Sequence, residues 1–265
     1  MEISIIGYGF VGKAVCNTFS KKSKVHVFDI LFKQNQQDQN TFFYTNLKDC
    51  IFNKPITFVC LPTPMFKDNS CDTSIIFSVL KEMEKINYSG IVVIKSTLVV
   101  SFFKNNKFNL KILVNPEFLT EKNANKDFEN QTRIFIGGKK EYANILKDYY
   151  LFQGYPKEFI YIEEKLEVFQ LVKYFNNCFL ASKVALFNEY YNIVELFELD
   201  YSVIRKYICL DSRITESHTF VPNNGKFGFG GNCFIKDTFA LQLEFPEQTK
   251  IIKTIIESNI IQNKK

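Results

Sequence analysis

The sequence predicts an α/β protein in two parts: an N-terminal domain with a doubly wound, mostly parallel sheet, then an α-helical domain built on one long helix. Three observations carry this. Short apolar runs recur through the first 136 residues, mostly separated by polar or helical stretches. A glycine-rich turn stands between the first run and an amphipathic stretch. From Lys165 to about Leu199 there is neither glycine nor proline. Buried strands alternating with helices imply a parallel sheet covered on both faces. The expected division is residues 1–163 and 164–265. At 265 residues, 46% hydrophobic and 23% charged, the chain has the composition of a soluble globular protein with room for a real core.

The first strand is Ile3–Ile6, followed by Gly7-Tyr8-Gly9-Phe10-Val11-Gly12 and the amphipathic stretch Lys13–Ser20. This is GxGxxG between a strand and a helix. Its first glycine makes the tight turn, its second admits a pyrophosphate and its third lets helix pack on strand. The N–H groups at the helix start then face the phosphates. A second strand, Lys24–Phe28, ends at Asp29, about twenty residues on, as a Rossmann dinucleotide site requires. Asp29 is expected to accept hydrogen bonds from the ribose hydroxyls and to repel a 2′-phosphate, which favours NAD over NADP. The plainer reading of Asp29 is a solvated residue at a strand end.

Further strands are expected at Ile56–Leu61, Ile91–Ile94, Lys111–Val114 and Arg133–Ile136, and the Gln/Asn-rich stretch from Leu31 to Thr41 reads as a mobile loop. Ligands of such sheets bind at the carboxyl ends of the strands. Three polar motifs fall there: Pro62-Thr63-Pro64, Lys95-Ser96-Thr97, and Asn115-Pro116-Glu117-Phe118-Leu119-Thr120-Glu121. Ordinary strand-exit turns use the same residue types.

The glycine- and proline-free stretch would form a helix about 50 Å long. Apolar residues lie on nearly every side of it, Phe175, Phe179, Phe187 and Val194 among them. Such a helix must be buried on most faces, and a subunit interface is the economical way, so a two-fold homodimer is expected. Lys173 and Asn177 share one face; on spacing alone Lys173 reads as a solvated helix lysine. Downstream lies Gly228-Phe229-Gly230-Gly231-Asn232-Cys233-Phe234-Ile235-Lys236-Asp237. A thiol at a helix start, with an ammonium three residues on, favours thiolate. Cys233 is therefore the expected nucleophile, and Lys236-Asp237 the pair opening an apolar helical segment, with Asp237 an alternative helix N-cap. Cys16, Cys50, Cys60, Cys71, Cys178 and Cys209 read as structural.

Net charge is +5, without a basic cluster interleaved with exposed aromatics, so no nucleic-acid partner is expected. No segment reaches the length and apolarity of a membrane span, and Glu2 stands where a signal peptide would be basic. Seven scattered cysteines suit a reducing compartment. A soluble cytoplasmic protein without a metal site is the expectation.

In their order, GYGFVG, VCLPTP, KST, NPEFLTE, RIFIGG, KxxxNxxLAxK, DSRI and GFGGNCFIKD resemble the UDP-glucose/GDP-mannose dehydrogenase family, nearest its UDP-glucose-oxidising branch. These enzymes oxidise a nucleotide sugar's primary alcohol to a carboxylate with two NAD. The resemblance implies that Cys233 is the nucleophile and that Lys173, Asn177 and Asp237 form its polar cluster. It implies that Thr97 and Glu117 hold the catalytic water. Thr63, Pro64, Thr97, Glu121 and Lys236 would join Gly7, Tyr8, Gly9, Phe10, Val11, Gly12 and Asp29 at the cofactor. Glu117, Phe118, Leu119, Glu121, Lys173 and Asn177 would meet the substrate, with Phe220, Asn224, Phe227, Gly228 and Gly230 as its sugar loop. Arg213 would reach into a neighbouring subunit's site.

The chain departs from the family pattern at Lys122, at Leu98-Val99-Val100-Ser101, at Gln131-Thr132 and at Ile235, and it stops at Lys265, where the family continues into a second, UDP-binding domain. The expectation is a nucleotide-sugar 6-dehydrogenase, or the catalytic two-thirds of one, whose nucleotide-gripping part is either missing, leaving the reaction incomplete, or supplied by another chain. The alternatives are an inactive NAD-binding module and a β-hydroxyacid dehydrogenase; the latter performs one oxidation and needs no nucleophilic cysteine.

Overall fold

The computed structural model describes residues 1–264, Asn232 by its backbone alone; Lys265 lies outside the described residues. The chain divides into two compact units, residues 1–63 with 72–173, and residues 64–71 with 174–265.

The elements of the first unit run β1 (Glu2–Ile6), α1 (Phe10–Phe19), β2 (Lys24–Phe28), β3 (Gln36–Asp38), β4 (Thr41–Tyr44), α2 (Leu47–Ile51), β5 (Ile56–Val59), α3 (Ser74–Lys85), β6 (Ile91–Ile94), α4 (Phe102–Asn105), β7 (Lys111–Val114), α5 (Ala124–Glu129), β8 (Ile134–Gly137), α6 (Lys140–Gln153) and β9 (Ile160–Glu163). Among the described residues the sheet has nine strands in the order β3-β4-β2-β1-β5-β6-β7-β8-β9. It is parallel except where β3 meets β4 and β7 meets β8. The strand order reverses between β1 and β5, the switch point at which doubly wound sheets bind ligands. Central strands such as Ile56–Val59 and Ile91–Ile94 are buried at every position, which is why they read as near-continuous apolar runs, broken only by Thr57.

Three expectations are corrected here. The first helix opens at Phe10, not Lys13, because the glycine turn delivers the chain directly into helical geometry. The stretch from Leu31 to Thr41 is not all loop: Gln36–Asp38 forms an exposed edge strand. An edge strand with both faces in water carries no apolar alternation to read. A ninth strand, Ile160–Glu163, with residues alternately half-buried and exposed, is not among the expected strands although Ile160-Tyr161-Ile162 is an apolar run.

The long helix α7 (Leu166–Leu196) passes from one unit into the next; it stops three residues short of the expected end, where Phe197 and Glu198 turn back on the last carbonyls. The second unit adds α8 (Tyr201–Ile208), α9 (Gly231–Glu244) and α10 (Lys250–Gln262). Phe187, Val194 and Tyr201 form one of its small cores and Ala181, Ala185 and Phe229 another. Several other apolar side chains of α7 are uncovered, Phe175 at 56%, Phe179 at 69% and Ile193 at 53% exposure. Phe179 and Ile193 line a hollow of about 650 Å³ with Leu186, Tyr190, Ile204 and Ile214.

Candidate active site

At the carboxyl end of β1 the three glycines occupy different environments. Gly7 has φ +94°, and a Cβ there would lie 2.6 Å from the carbonyl oxygen of Cys60. At Gly12 a Cβ would lie 2.0 Å from the Gly7 oxygen, so the helix sits on the turn only without a side chain. Gly9 is open, with nothing within 4 Å of a Cβ position. It caps α1 without a side-chain hydrogen bond, leaving the first-turn N–H groups aimed at that space. Asp29 is half-buried, and its oxygens accept from the amides of Tyr8 (2.7 Å) and Leu31 (2.9 Å). It is thus engaged with the turn rather than solvated, and each oxygen keeps a lone pair for a hydroxyl. Tyr8 packs on Phe32 and Phe43, and burial pushes its phenol up to about 12. Phe10 and Val11 pack against the sheet's core. These residues fit a dinucleotide: backbone donors and open space for the pyrophosphate, a carboxylate for the ribose.

The strand-end motifs of the first unit are tied together. Thr63 Oγ1 donates to the Thr97 carbonyl (3.0 Å) and Ser96 Oγ to that of Leu61 (2.7 Å). Glu117 is buried; its Oε1 accepts from Lys173 Nζ at 3.4 Å and its Oε2 from the Leu119 amide at 2.5 Å. Lys173 is 4% exposed, its ammonium 5.1 Å from the Phe118 ring centroid. The solvated-lysine reading is therefore wrong, because the sheet's far end covers this turn of α7. Phe118 and Leu119 line a hollow of about 360 Å³ with Lys126 and Arg133. Thr97 is half-buried, whereas Pro64 and Glu121 are exposed, the latter in a 3₁₀ turn.

The second unit gathers the remaining candidates. Helix α9 opens at Gly231, five residues before the Lys236-Asp237 pair expected to open it, with Gly230 as its N-cap. Asp237 is consequently no cap: it is 1% exposed and accepts from Asn177 Nδ2 at 2.6 Å. Lys236 pairs with the same carboxylate. Burial alone would lower the Lys236 pKa, but Asp237, then Cys71 and Cys233, raise it above its ordinary value. It therefore stays a cation within electrostatic reach of the Cys233 thiol. Cys233 itself is exposed in the first turn of α9, where the helix dipole and that ammonium both favour thiolate. Cys16, Cys50, Cys60 and Cys178 are buried. Burial pushes Cys60 and Cys178 up to about 12, so they stay protonated.

The loop before Cys233 is fixed by amides that sequence reasoning missed. Asn188 Oδ1 accepts from the Gly228 amide (2.9 Å). Asn259 Oδ1 accepts from the Phe229 amide (2.6 Å), and Asn259 Nδ2 donates to the Phe229 carbonyl (3.0 Å). Gly228 has φ +70°, and a Cβ there would lie 2.5 Å from Asn259 Oδ1, whereas Gly230 and Gly231 face open space. Isolated asparagines in helices give no sequence signal for such work. Phe220 is 51% exposed beneath the Arg205 guanidinium at 3.9 Å, Asn224 sits in a turn with φ +51°, and Phe227 packs on Tyr191 at 5.4 Å. Arg213 is exposed and held by Asp211 at 2.9 Å; Lys183 Nζ ties the adjoining Thr215 carbonyl to α7 at 3.2 Å.

Comparison with known proteins shows which family the chain belongs to. Residues 26–151 match the NAD binding domain of the UDP-glucose/GDP-mannose dehydrogenase family, and residues 167–260 match its central domain. A UDP-glucose 6-dehydrogenase of Campylobacter jejuni is 32% identical, over 100% of this chain and 73% of the relative. One of Rickettsia bellii is 30% identical, over 98% of this chain and 67% of the relative.

This chain belongs to the UDP-glucose/GDP-mannose dehydrogenase family.

A solved UDP-glucose dehydrogenase from the archaeon Pyrobaculum islandicum shares the fold, with a TM-score of 0.82 at 24% identity over 99% of this chain and 68% of that one. As a UDP-glucose/GDP-mannose dehydrogenase the chain is an NAD-dependent oxidoreductase acting on CH–OH groups of nucleotide sugars. No helix among the described residues is long and apolar enough to cross a membrane, and among them no group of three or more His, Cys, Asp or Glu residues is placed to hold a metal ion.

Proposed function

We propose that this chain oxidises the primary alcohol of a nucleotide sugar to a carboxylate, of the UDP-glucose to UDP-glucuronate type, through a covalent intermediate on Cys233. The supporting observation is the exposed Cys233 in the first turn of α9 with the Lys236 cation in electrostatic reach. Bound NAD supplies the hydride acceptor for each of two oxidations. The Cys233 sulfur adds to the C6 aldehyde left by the first, forming a C–S bond and an oxyanion that takes up a proton. Loss of the second hydride to NAD, with the hydroxyl proton passing to a base, leaves a thioester. Water held by Glu117 and Thr97 attacks it, the C–S bond breaks, and the thiol recovers a proton. Lys173 and Asn177, one turn apart on α7, stabilise the oxyanion, and Asp237 assists proton transfer. The substrate reading extends to Phe118, Leu119, Glu121 and the loop bearing Phe220, Asn224, Phe227, Gly228 and Gly230. Thr63, Pro64, Glu121 and Lys236 are assigned to the cofactor, which residues 1–163 bind, with 164–265 as the helical domain.

The partners proposed are a second copy of this chain, covering the apolar face of α7 and receiving Arg213, and a polypeptide that grips the nucleotide diphosphate. Purified protein with NAD and UDP-glucose, followed by NADH absorbance, tests the reaction; two NADH per glucuronate released is the expected yield. Absence of turnover both alone and with such a domain added in trans would favour an inactive NAD-binding module.

A further inference from the structure

The Lys95-Ser96-Thr97 run contributes its threonine to the proposed site, but no step above uses its lysine. Lys95 directly follows β6 and is 1% exposed. Its Nζ donates to both oxygens of Asn115, the carbonyl at 3.1 Å and Oδ1 at 3.0 Å. Asn115 directly follows β7. Its Nδ2 donates to the Phe135 carbonyl in β8 at 2.7 Å, and its Oδ1 also accepts from the Tyr150 hydroxyl at 2.6 Å. Two residues on is Glu117, whose carboxylate meets Lys173. The ammonium thus clamps the chain where β7 turns into Pro116-Glu117.

Among the described residues Lys95 has no ion-pair partner. Its surroundings are the Cys60 thiol after β5, Glu117, Lys173 on α7, Tyr150 on α6, and the Phe128 ring of α5 at 5.3 Å. Burial pushes its pKa down to about 8, opposed by Cys60 and Glu117 and reinforced by Lys173. Replacing a buried charge by an apolar group of similar volume is often neutral or stabilising, so this lysine is held against the stability of the fold.

We propose that Lys95 is a positioning residue for the dehydrogenase reaction, fixing through Asn115 the turn that presents Glu117 to Lys173. This rests on the proposed roles of Glu117 and Lys173. Three measurements on Lys95→Met test it: amide hydrogen exchange at residues 115–119, calorimetric NAD affinity, and turnover of UDP-glucose. The variant is expected to melt no lower than wild type at pH 7 and to bind NAD within about twofold of it, while exchange at 115–119 rises at least about tenfold. Its kcat should fall at least about tenfold, with a smaller change in KM. Lys95→Gln, which keeps a donor, should lie between the two and serves if the methionine variant does not fold. Unchanged exchange at 115–119, or a loss of turnover that merely tracks a lower melting temperature, overturns the proposal. If wild type turns over no nucleotide sugar, the dehydrogenase reading is what fails, and exchange at 115–119 still decides the clamp.

Discussion

Cys233, Lys95 and Asp29 show how far a side chain's chemistry depends on what surrounds it. Cys233 is exposed beside a retained cation, whereas Cys60 and Cys178 are held protonated by burial. Cys233→Ser is accordingly expected to abolish four-electron oxidation, a hydroxyl being a far poorer nucleophile than a thiolate. NAD affinity should stay unchanged by calorimetry. Full two-NADH turnover in the serine variant would overturn the thioester route. Lys95 makes a separate prediction. Its pKa of about 8 in the fold lies below the ordinary 10.5, so between those values the unfolded chain binds more protons and stability rises with pH. Below about pH 8 the buried charge costs on the order of 3 kcal/mol. Any stability advantage of Lys95→Met over wild type should therefore shrink as pH climbs from 8 toward 10.5, read by denaturant melts. A constant difference across that range would show that Lys95 keeps its ordinary pKa and stays charged in the fold. At Asp29, the carboxylate is expected to make NADP binding much weaker than NAD binding, and Asp29→Asn to narrow the gap by about tenfold.

At the scale of elements, the turn from β1 into α1 separates two uses of glycine. Gly9→Ala adds a methyl to open space at a compatible φ of −71°, so the fold should hold while NAD affinity drops at least about tenfold. Gly12→Ala would drive a methyl to 2.0 Å from the Gly7 oxygen. That variant should lose roughly 2 kcal/mol or more and melt about 5 °C lower. Equal melting temperatures for the two would refute the distinction. How legible an element was followed its burial. Ile91–Ile94 and Lys111–Val114 could be read to the residue, the first being apolar and buried throughout and the second apolar after its leading lysine. Gln36–Asp38 could not, since an exposed edge strand carries no apolar run, and Ile160–Glu163 is not among the expected strands although it holds Ile160-Tyr161-Ile162. The candidate site divides likewise. Cys233 and GxGxxG announce themselves within ten residues, whereas the Glu117–Lys173 pair joins positions 56 apart.

For the whole molecule, the uncovered apolar face of α7 is the feature that a second copy would explain. Phe187 is 3% exposed within its own unit whereas Phe179 is 69% exposed, so only the latter tests association cleanly. Phe179→Glu should leave the monomer folded and raise the dimer dissociation constant at least about tenfold, measured by sedimentation velocity. A folded wild-type monomer at micromolar concentration would show that nothing covers this face. The sequence by itself determined the buried central strands, the dinucleotide turn and the cysteine loop. Each rests on local rules: where a Cβ cannot go, which period an apolar run follows, which charge lies within one turn. Only the tertiary structure decided that Lys173 is buried against Glu117, that Asp237 receives Asn177 rather than capping a helix, and that Lys95 is sealed under the strand ends. Protonation and pairing depend on desolvation and on partners brought in from distant elements, and no pattern along the chain encodes either.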